Sequence, residues 1–254
     1  MPDADLELLT SAVRAAARIA MSFHRNKPAY QQKPDGSIVT EADFAVDAYL
    51  KSAITTARPD DGWLSEETPD TSARLSKQRL WIVDPIDGTR DFQAGGVDWA
   101  IGAALAFEGR LVVSVLYRPA DDIFFHAVEN GGAFRNGNPL LIDSAASRRL
   151  VITHNKYKSV VEAAGFSTER TSKLPLLLRY SAIAEGKLAG SVSSGPKNDW
   201  DIAAGHLILK EAGGILTTEK GGPVIYNRPE PWQPGVVAAQ AQWHRTILKA
   251  META

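Results

Sequence analysis

The sequence has no cysteine among its 254 residues. Disulfides, thiolate metal sites and cysteine nucleophiles are therefore excluded. Long apolar runs are missing too, so no segment approaches a membrane span. The first residues include Asp3, Asp5 and Glu7, where a secretory signal would be basic, and a cytoplasmic protein is expected. Neither sign of charge dominates. A formal net charge of −2 gives no electrostatic reason to expect a nucleic-acid polymer or a membrane as partner. There is no Walker-type phosphate loop, which disfavours a nucleotide kinase. The histidines (His24, His126, His154, His206 and His244) make no metal-binding pair at helical spacing and read as structural or surface residues. Internal repeats and low-complexity tracts are absent as well.

What is present is an ordinary globular composition, 44% apolar and 23% charged, in a chain long enough for one large domain or two smaller ones. Leu6, Leu9, Val13, Ala16, Ala17 and Ala20 recur at helical spacing and predict an amphipathic helix over residues 5–25. A polar loop over 26–36 leads to a second helix from Thr40 to about residue 57, with Asp43 completing an approximate capping box. A short strand at Trp63-Leu64 runs into Ser65-Glu66-Glu67, and 68–77 reads as a polar loop. Strands are expected at 80–83, 99–107, 111–117 and 123–128, the last three as an antiparallel meander. The turn-rich section through Gly131-Gly132 and Asn136-Gly137-Asn138-Pro139 is the expected boundary between an N-terminal α+β subdomain, 1–138, and a C-terminal α/β subdomain, 139–254. Beyond it come a strand at 150–153, a short helix at 159–164 and a segment, 173–186, whose pattern fits strand or helix. A helix from about Asp201 ends at Gly213-Gly214. Strands at 215–217 and 236–239 and a last helix from about Gln240 follow.

The chemistry concentrates in Asp84-Pro85-Ile86-Asp87-Gly88-Thr89-Arg90-Asp91-Phe92. The preceding strand is expected to stop there, because Pro85 fixes its own φ and cannot continue a central strand. Asp84 and Asp87, held by a proline-stiffened turn, can converge on one point. Mg²⁺ wants hard oxygen ligands of this kind, and the Ile86 carbonyl is free to join them. Gly88 and Thr89 present backbone N–H groups and a hydroxyl at a helix start, where phosphate is readily bound. A calcium loop does not fit, since Gly95 stands at the twelfth position where a glutamate is needed. Metal and phosphate ligands so close together point to metal-assisted phosphoryl chemistry. Read locally, Thr40 and Asp43 are a plain helix cap, Glu66-Glu67 a solvated edge, and Asp201 a first-turn acid that complements the helix dipole.

Taken in chain order, Lys33 with the loop to Val39-Thr40-Glu41-Ala42-Asp43, then Ser65-Glu66-Glu67, Asp84 to Thr89, and Trp200-Asp201-Ile202-Ala203-Ala204-Gly205 resemble the motifs of the inositol monophosphatase superfamily. Members are Mg²⁺-dependent, lithium-sensitive phosphomonoesterases. The motifs span residues 33–205, and the order of helices and strands fits nearly the whole chain. The resemblance implies a layered αβαβα sandwich. It implies that Glu66, Asp84 and the Ile86 carbonyl hold one Mg²⁺, that Asp84, Asp87 and Asp201 hold a second, and that Glu66 with water completes a weaker third site. Thr89 and Asp43 would form the hydrogen-bonded pair that activates water beside Glu66, with the Gly88 and Thr89 N–H groups on the phosphate. The task suits such a set, because enzymes accelerate phosphate-monoester hydrolysis by up to ~10²¹-fold.

Three features resemble the 3'(2'),5'-bisphosphate nucleotidase branch of that superfamily. Arg90-Asp91-Phe92 matches its basic-acidic-Phe continuation. Gly195-Pro196-Lys197 matches its approach to Trp200-Asp201, with Ser194 where inositol phosphatases place a glutamate. Arg179 aligns with a basic residue ahead of Ala184-Glu185-Gly186, so Arg179 and Lys197 are expected to bind substrate. Leu174-Pro175-Leu176 departs from the family's Gly-Ser or Gly-Thr turn. The expected substrate is adenosine 3',5'-bisphosphate, converted to AMP and phosphate. The alternatives are a broad inositol-1-phosphatase and a non-catalytic metal or nucleotide sensor. The family is commonly dimeric, so a homodimer is an expected assembly.

Overall fold

Helices and sheets alternate in five layers in the computed structural model, which describes residues 2–143, 147–169 and 174–254. The outermost helices are α1 (Pro2–His24) and α2 (Glu41–Ala57), paired face to face. Between them, β1 (Tyr30–Gln32), within the stretch 26–36 that reads in the sequence as a polar loop, pairs with β2 (Ile38–Thr40) in an antiparallel hairpin. The two helices cover a seven-stranded sheet whose spatial order follows the chain. Its strands are β3 (Gly62–Ser65), β4 (Arg79–Asp87), β5 (Ala100–Phe107), β6 (Arg110–Arg118), β7 (Ile123–Val128), β8 (Gly132–Arg135) and β9 (Asn138–Leu140). All neighbours run antiparallel except β3 and β4, which are parallel. The expected meander is there, and the turn-rich stretch near residue 135 extends it by two further strands.

β5 shows why the sheet needs helices on both sides. Successive side chains of a strand point to opposite faces. Ile101, Ala103 and Leu105 join the core under α1 and α2, while Ala100, Ala104 and Ala106 join the core on the other face. A strand buried on both faces reads as a continuous apolar run. The second core is covered by α5 (Leu176–Ala184) and α6 (Asp199–Glu211). Of the ambiguous segment 173–186, Lys173 lies outside the described residues, and most of the rest is α5.

Those helices also touch a five-stranded sheet ordered β11 (Ser167–Glu169), β10 (Arg149–Ile152), β12 (Gly190–Ser193), β16 (Val236–Gln240) and β14 (Gly214–Thr218). The strand latest in the chain lies between β12 and β14 and is antiparallel to both. α4 (Lys158–Ala163) and α7 (Ala241–Met251) close the far side over Ile152, Val161, Val237 and Ile247. A two-residue pairing of β13 (Lys197–Asn198) with β15 (Trp232–Gln233) ties the start of α6 to the segment before β16. The remaining α-helix among the described residues, α3 (Thr89–Ala94), follows β4 directly, and the stretch 68–77 that reads as a polar loop holds a 3₁₀ helix over Ser72–Ser76.

One expectation is corrected. The strand entering the acidic stretch does not stop at Val83. β4 runs on to Asp87, pairing Asp84 with Gly102 and Asp87 with Ala100, with a register shift between them. A proline is tolerated within a sheet at a bulge, and Pro85 occupies that irregularity. The acids thus project from a buried strand and its bulge instead of a surface turn.

Candidate active site

Parallel pairing of β3 and β4 sets the first two acids at one level. Ser65 pairs with Val83, so Glu66 and Asp84 leave the same rung together, and the Glu66 N–H donates to the Val83 carbonyl at 3.4 Å. Glu66, Asp84, Ile86, Asp87, Gly88, Thr89 and Asp201 all line one pocket of about 250 Å³. Asp201 arrives from the first turn of α6, on the opposite side. Ser37, Arg90 and Pro175 complete much of its wall.

Glu66, Asp87 and Asp201 are each already engaged with a protein donor; Asp84 is not. The Lys33 ammonium donates to Glu66 at 2.8 Å and to Glu67 at 2.7 Å. Burial opposes its charge, but the two glutamates hold that ammonium above the usual lysine range. The Leu177 N–H, at the start of α5, donates to Asp87 Oδ2 at 2.8 Å, and the Asn198 N–H donates to Asp201 Oδ2 at 2.9 Å. Asp87 therefore caps a helix far along the chain, where a free N–H needs an acceptor. Asp84 is buried, and its Oδ1 has no hydrogen-bond partner.

The acids crowd one another. Burial, and then the charges of Glu66, Asp87 and Asp201, push Asp84 well above the ordinary carboxylate range. Burial and its partners' charges raise Asp87 and Asp201 to about 7 each, and burial raises Glu67 to about 7. Like charges in a desolvated site disfavour ionisation, and a cation reverses that. A buried orphan carboxylate oxygen amid hard oxygen donors is chemically matched to Mg²⁺. Among the described residues no three His, Cys, Asp or Glu side chains close on one point as a finished cage would. Glu66 sits on Lys33, and Asp87 and Asp201 sit on backbone N–H groups. The donor set fits the metal, and its members have partners to exchange for it.

Asp43 has two jobs, one on each oxygen. Its Oδ2 accepts the Thr40 N–H at 2.8 Å and the Thr40 hydroxyl at 2.6 Å, which completes the capping box of α2. Its Oδ1 accepts the Thr89 hydroxyl at 3.0 Å, and the Ile86 carbonyl lies equally close to that hydroxyl. The local reading as a cap and the reading as a partner of Thr89 are both satisfied. Burial raises Asp43 above its ordinary value. Gly88 caps α3 with φ +98°, and a β-carbon there would meet the Pro175 ring at 2.5 Å and the Asp98 carbonyl at 2.7 Å. Only glycine fits.

Arg179 and Lys197 lie near enough for their charges to act on Asp87 and Asp201 respectively, but their hydrogen bonds go elsewhere. Neither lines the pocket. The Arg179 Nε donates to the Leu174 carbonyl at 2.7 Å, and Lys197 Nζ donates to the carbonyls of Ser194, Gly195 and Pro196 at 3.1, 3.2 and 2.9 Å. Tight turns leave carbonyls that need donors, and these long side chains supply them. Ser37 also lines the pocket without belonging to a motif, and Pro175 enters the sequence only through the Leu174-Pro175-Leu176 departure, which carries no sign of a pocket wall. Arg90 was noted only as part of a pattern. Its position one residue past Thr89 in a short helix was the available clue.

A profile of the inositol monophosphatase family matches residues 3–254, and the chain belongs to that family. It is a phosphatase, a phosphoric monoester hydrolase, of a metal-dependent family. An inositol-1-monophosphatase of Mesorhizobium japonicum is 31% identical over 268 residues, covering 96% of each chain. The 3'(2'),5'-bisphosphate nucleotidase CysQ of Escherichia coli K12 is 30% identical over 213 residues, 80% of this chain and 85% of its own. A Streptomyces griseus protein named glucose-1-phosphate thymidylyltransferase is 32% identical over 232 residues, 87% of this chain and 88% of its own. Among solved structures, the extragenic suppressor protein suhB of Bartonella henselae superposes with a TM-score of 0.86 at 24% identity over 99% of both chains. No helix among the described residues is long and apolar enough to cross a membrane.

Proposed function

We propose that this phosphatase uses two or three Mg²⁺ ions and acts on a nucleoside 3',5'-bisphosphate, releasing phosphate from adenosine 3',5'-bisphosphate to leave AMP. Glu66, Asp84 and the Ile86 carbonyl would hold one ion, Asp84, Asp87 and Asp201 a second, and Glu66 with water a third. Bound Mg²⁺ neutralises phosphate charge and makes a water easier to deprotonate. The rest falls to the chain's own residues. Gly88 and Thr89 N–H groups would receive the phosphate oxygens. With its proton directed at Asp43, the Thr89 hydroxyl offers a lone pair to the attacking water. As the water oxygen bonds to phosphorus, its proton passes to Thr89 while the Thr89 proton passes to Asp43. The ester P–O bond breaks, and the leaving oxygen takes up a proton. A carboxylate that burial has made more basic is suited to that final acceptance.

The observation that carries the substrate reading is Arg90 on the pocket wall, one residue beyond the phosphate-binding pair. Its guanidinium donates to the Gly36 carbonyl at 2.6 Å and keeps further N–H groups for a second phosphate. The engagement of Arg179 and Lys197 by backbone carbonyls favours the other reading, an inositol-1-phosphatase of broad specificity. The two are separated by phosphate release with Mg²⁺ on adenosine 3',5'-bisphosphate and inositol 1-phosphate at equal concentration. A kcat/KM about tenfold higher for the bisphosphate, reduced selectively by Arg90→Ala, is the expected result. Preference for the inositol ester retires the nucleotidase reading and leaves the phosphatase intact.

A further inference from the structure

Opposite the acid-lined pocket, the last two turns of α6 wall a second cavity of about 480 Å³. It is larger than the catalytic pocket and lies in the range of small-molecule sites. Its inner wall is apolar, made by Leu111, Leu207 and Leu216 from three different elements. Val224 and Ile225 form the outer wall, and Ile225 is 52% exposed, an apolar side chain on open surface.

Two groups of polar atoms converge on that wall. His206 Nδ1 lies 2.8 Å from the Tyr226 hydroxyl. Burial keeps the phenol protonated and depresses the imidazole to about 4, so both are neutral. In the tautomer in which the phenol donates to Nδ1, the neutral imidazole carries its proton on Nε2, and His206 lines the cavity with that donor. At the mouth, Arg110 and Lys210 each stand 3.6 Å from one carboxylate, Glu129. Two cations share one anion, and both side chains are at least half exposed. Across the mouth, Glu108 is tied to Gln78 at 3.2 Å.

We propose that this cavity is a binding site for a small aromatic acid. A planar ring fills the apolar slot, an acceptor on it takes the His206 proton, and its anionic group pairs with Lys210 and Arg110. The site is separate from the reaction. Its lining on α6, His206 to Lys210, lies about 8–14 Å along the helix axis beyond Asp201, and it shares no residue with the acid-lined pocket.

Anilinonaphthalene sulfonate, an aromatic sulfonate, is the probe. Titrated into the folded enzyme, it should bind saturably with one equivalent and raise the thermal midpoint. Ile225→Glu places a carboxylate in the slot and should weaken binding about tenfold or more. Lys210→Glu should weaken it about fivefold. Both variants should keep wild-type phosphatase activity and thermal midpoint, since neither residue touches the catalytic pocket. Saturating phosphate with Mg²⁺ should leave the probe bound. Three results overturn the site: a non-saturating titration, binding untouched by both substitutions, or displacement by phosphate, which would put the probe in the catalytic pocket.

Discussion

Two buried groups of aspartates in this molecule have opposite surroundings. In the first turn of α1, Asp5 is 3% exposed and takes hydrogen bonds at 3.0 Å from Arg58 and from Arg79. Beside it, Asp61 takes both its contacts from Arg79 at 3.0 Å and the Trp81 ring N–H at 2.8 Å. Asp84, on the same strand as Arg79 and Trp81, is 2% exposed, faces other acids and leaves one oxygen unpartnered. Residue type and burial are the same, so neither separates a structural aspartate from a reactive one. The sign of the neighbouring charge does. In the first group each carboxylate stabilises the fold. In the second the fold holds carboxylates against their own repulsion, and the cost is recovered only with a cation bound.

The sharpest test of that contrast is Asp84→Asn. Phosphate release with Mg²⁺ should fall by at least ~10³-fold, while the metal-free protein becomes more stable, because one repelling charge is gone. Each kcal/mol gained moves the midpoint of a chain this size by about 2–4 °C. Mg²⁺ should raise the midpoint of the wild type and leave the variant unmoved. A lower metal-free midpoint would put Asp84 in the stabilising group. The mirror experiment is Asp5→Ala, which strands Arg58 and leaves Arg79 with Asp61 alone. The partial exposure of both arginines reduces the cost of a broken buried pair to about 2–3 kcal/mol. Calorimetry should show that loss with kcat unchanged.

Between the two groups stands His206, a titratable side chain held neutral. Its folded value of about 4 lies below the ordinary 6.5. As pH falls through 6.5 the unfolded chain takes up a proton and the folded chain does not. Its contribution is therefore complete above 6.5 and lost progressively down to about 4, by at most ~3 kcal/mol, and by less since the ring is partly exposed. The stability difference between wild type and His206→Gln should shrink across that window, and a constant difference would refute the assignment. The smallest effect belongs to Asp47, which accepts from the Ser65 hydroxyl and from Thr68 Oγ1 at 2.6 Å. Thr68→Val should cost about 1 kcal/mol in denaturant unfolding.

The helices and the meander were legible because their signals are local. Leu9, Val13, Ala16 and Ala20 repeat at one period, and the apolar strands are punctuated by Glu108-Gly109 and Asp121-Asp122. The acids of the site were legible through motif residues that the fold draws from three distant segments onto one pocket, with Asp43 joined to it through Thr89. What stayed hidden depends on partners far along the chain. Pro85 looked like a stop because a bulge against β5 is a tertiary event. The apolar run Leu176-Leu177-Leu178 fits strand or helix until the acceptor that caps it is known, and that acceptor is Asp87. Arg179 and Lys197 carried charge but no sign of the carbonyls waiting for them.

The position of β16 has a bearing on how the protein is made. β12 and β14 do not pair with each other; β14 pairs only with the strand formed by residues 236–240, and β12 reaches β14 only through that strand, its other neighbour being β10. A ribosome producing about 5–20 residues per second finishes the first sheet well before that strand emerges. Until then the second sheet is open at its centre, and α6 with Asp201 has an unfinished layer behind it. Catalytic competence should therefore arrive abruptly and late in synthesis, and a nascent chain stalled before residue 236 should carry all of the proposed metal ligands yet release no phosphate.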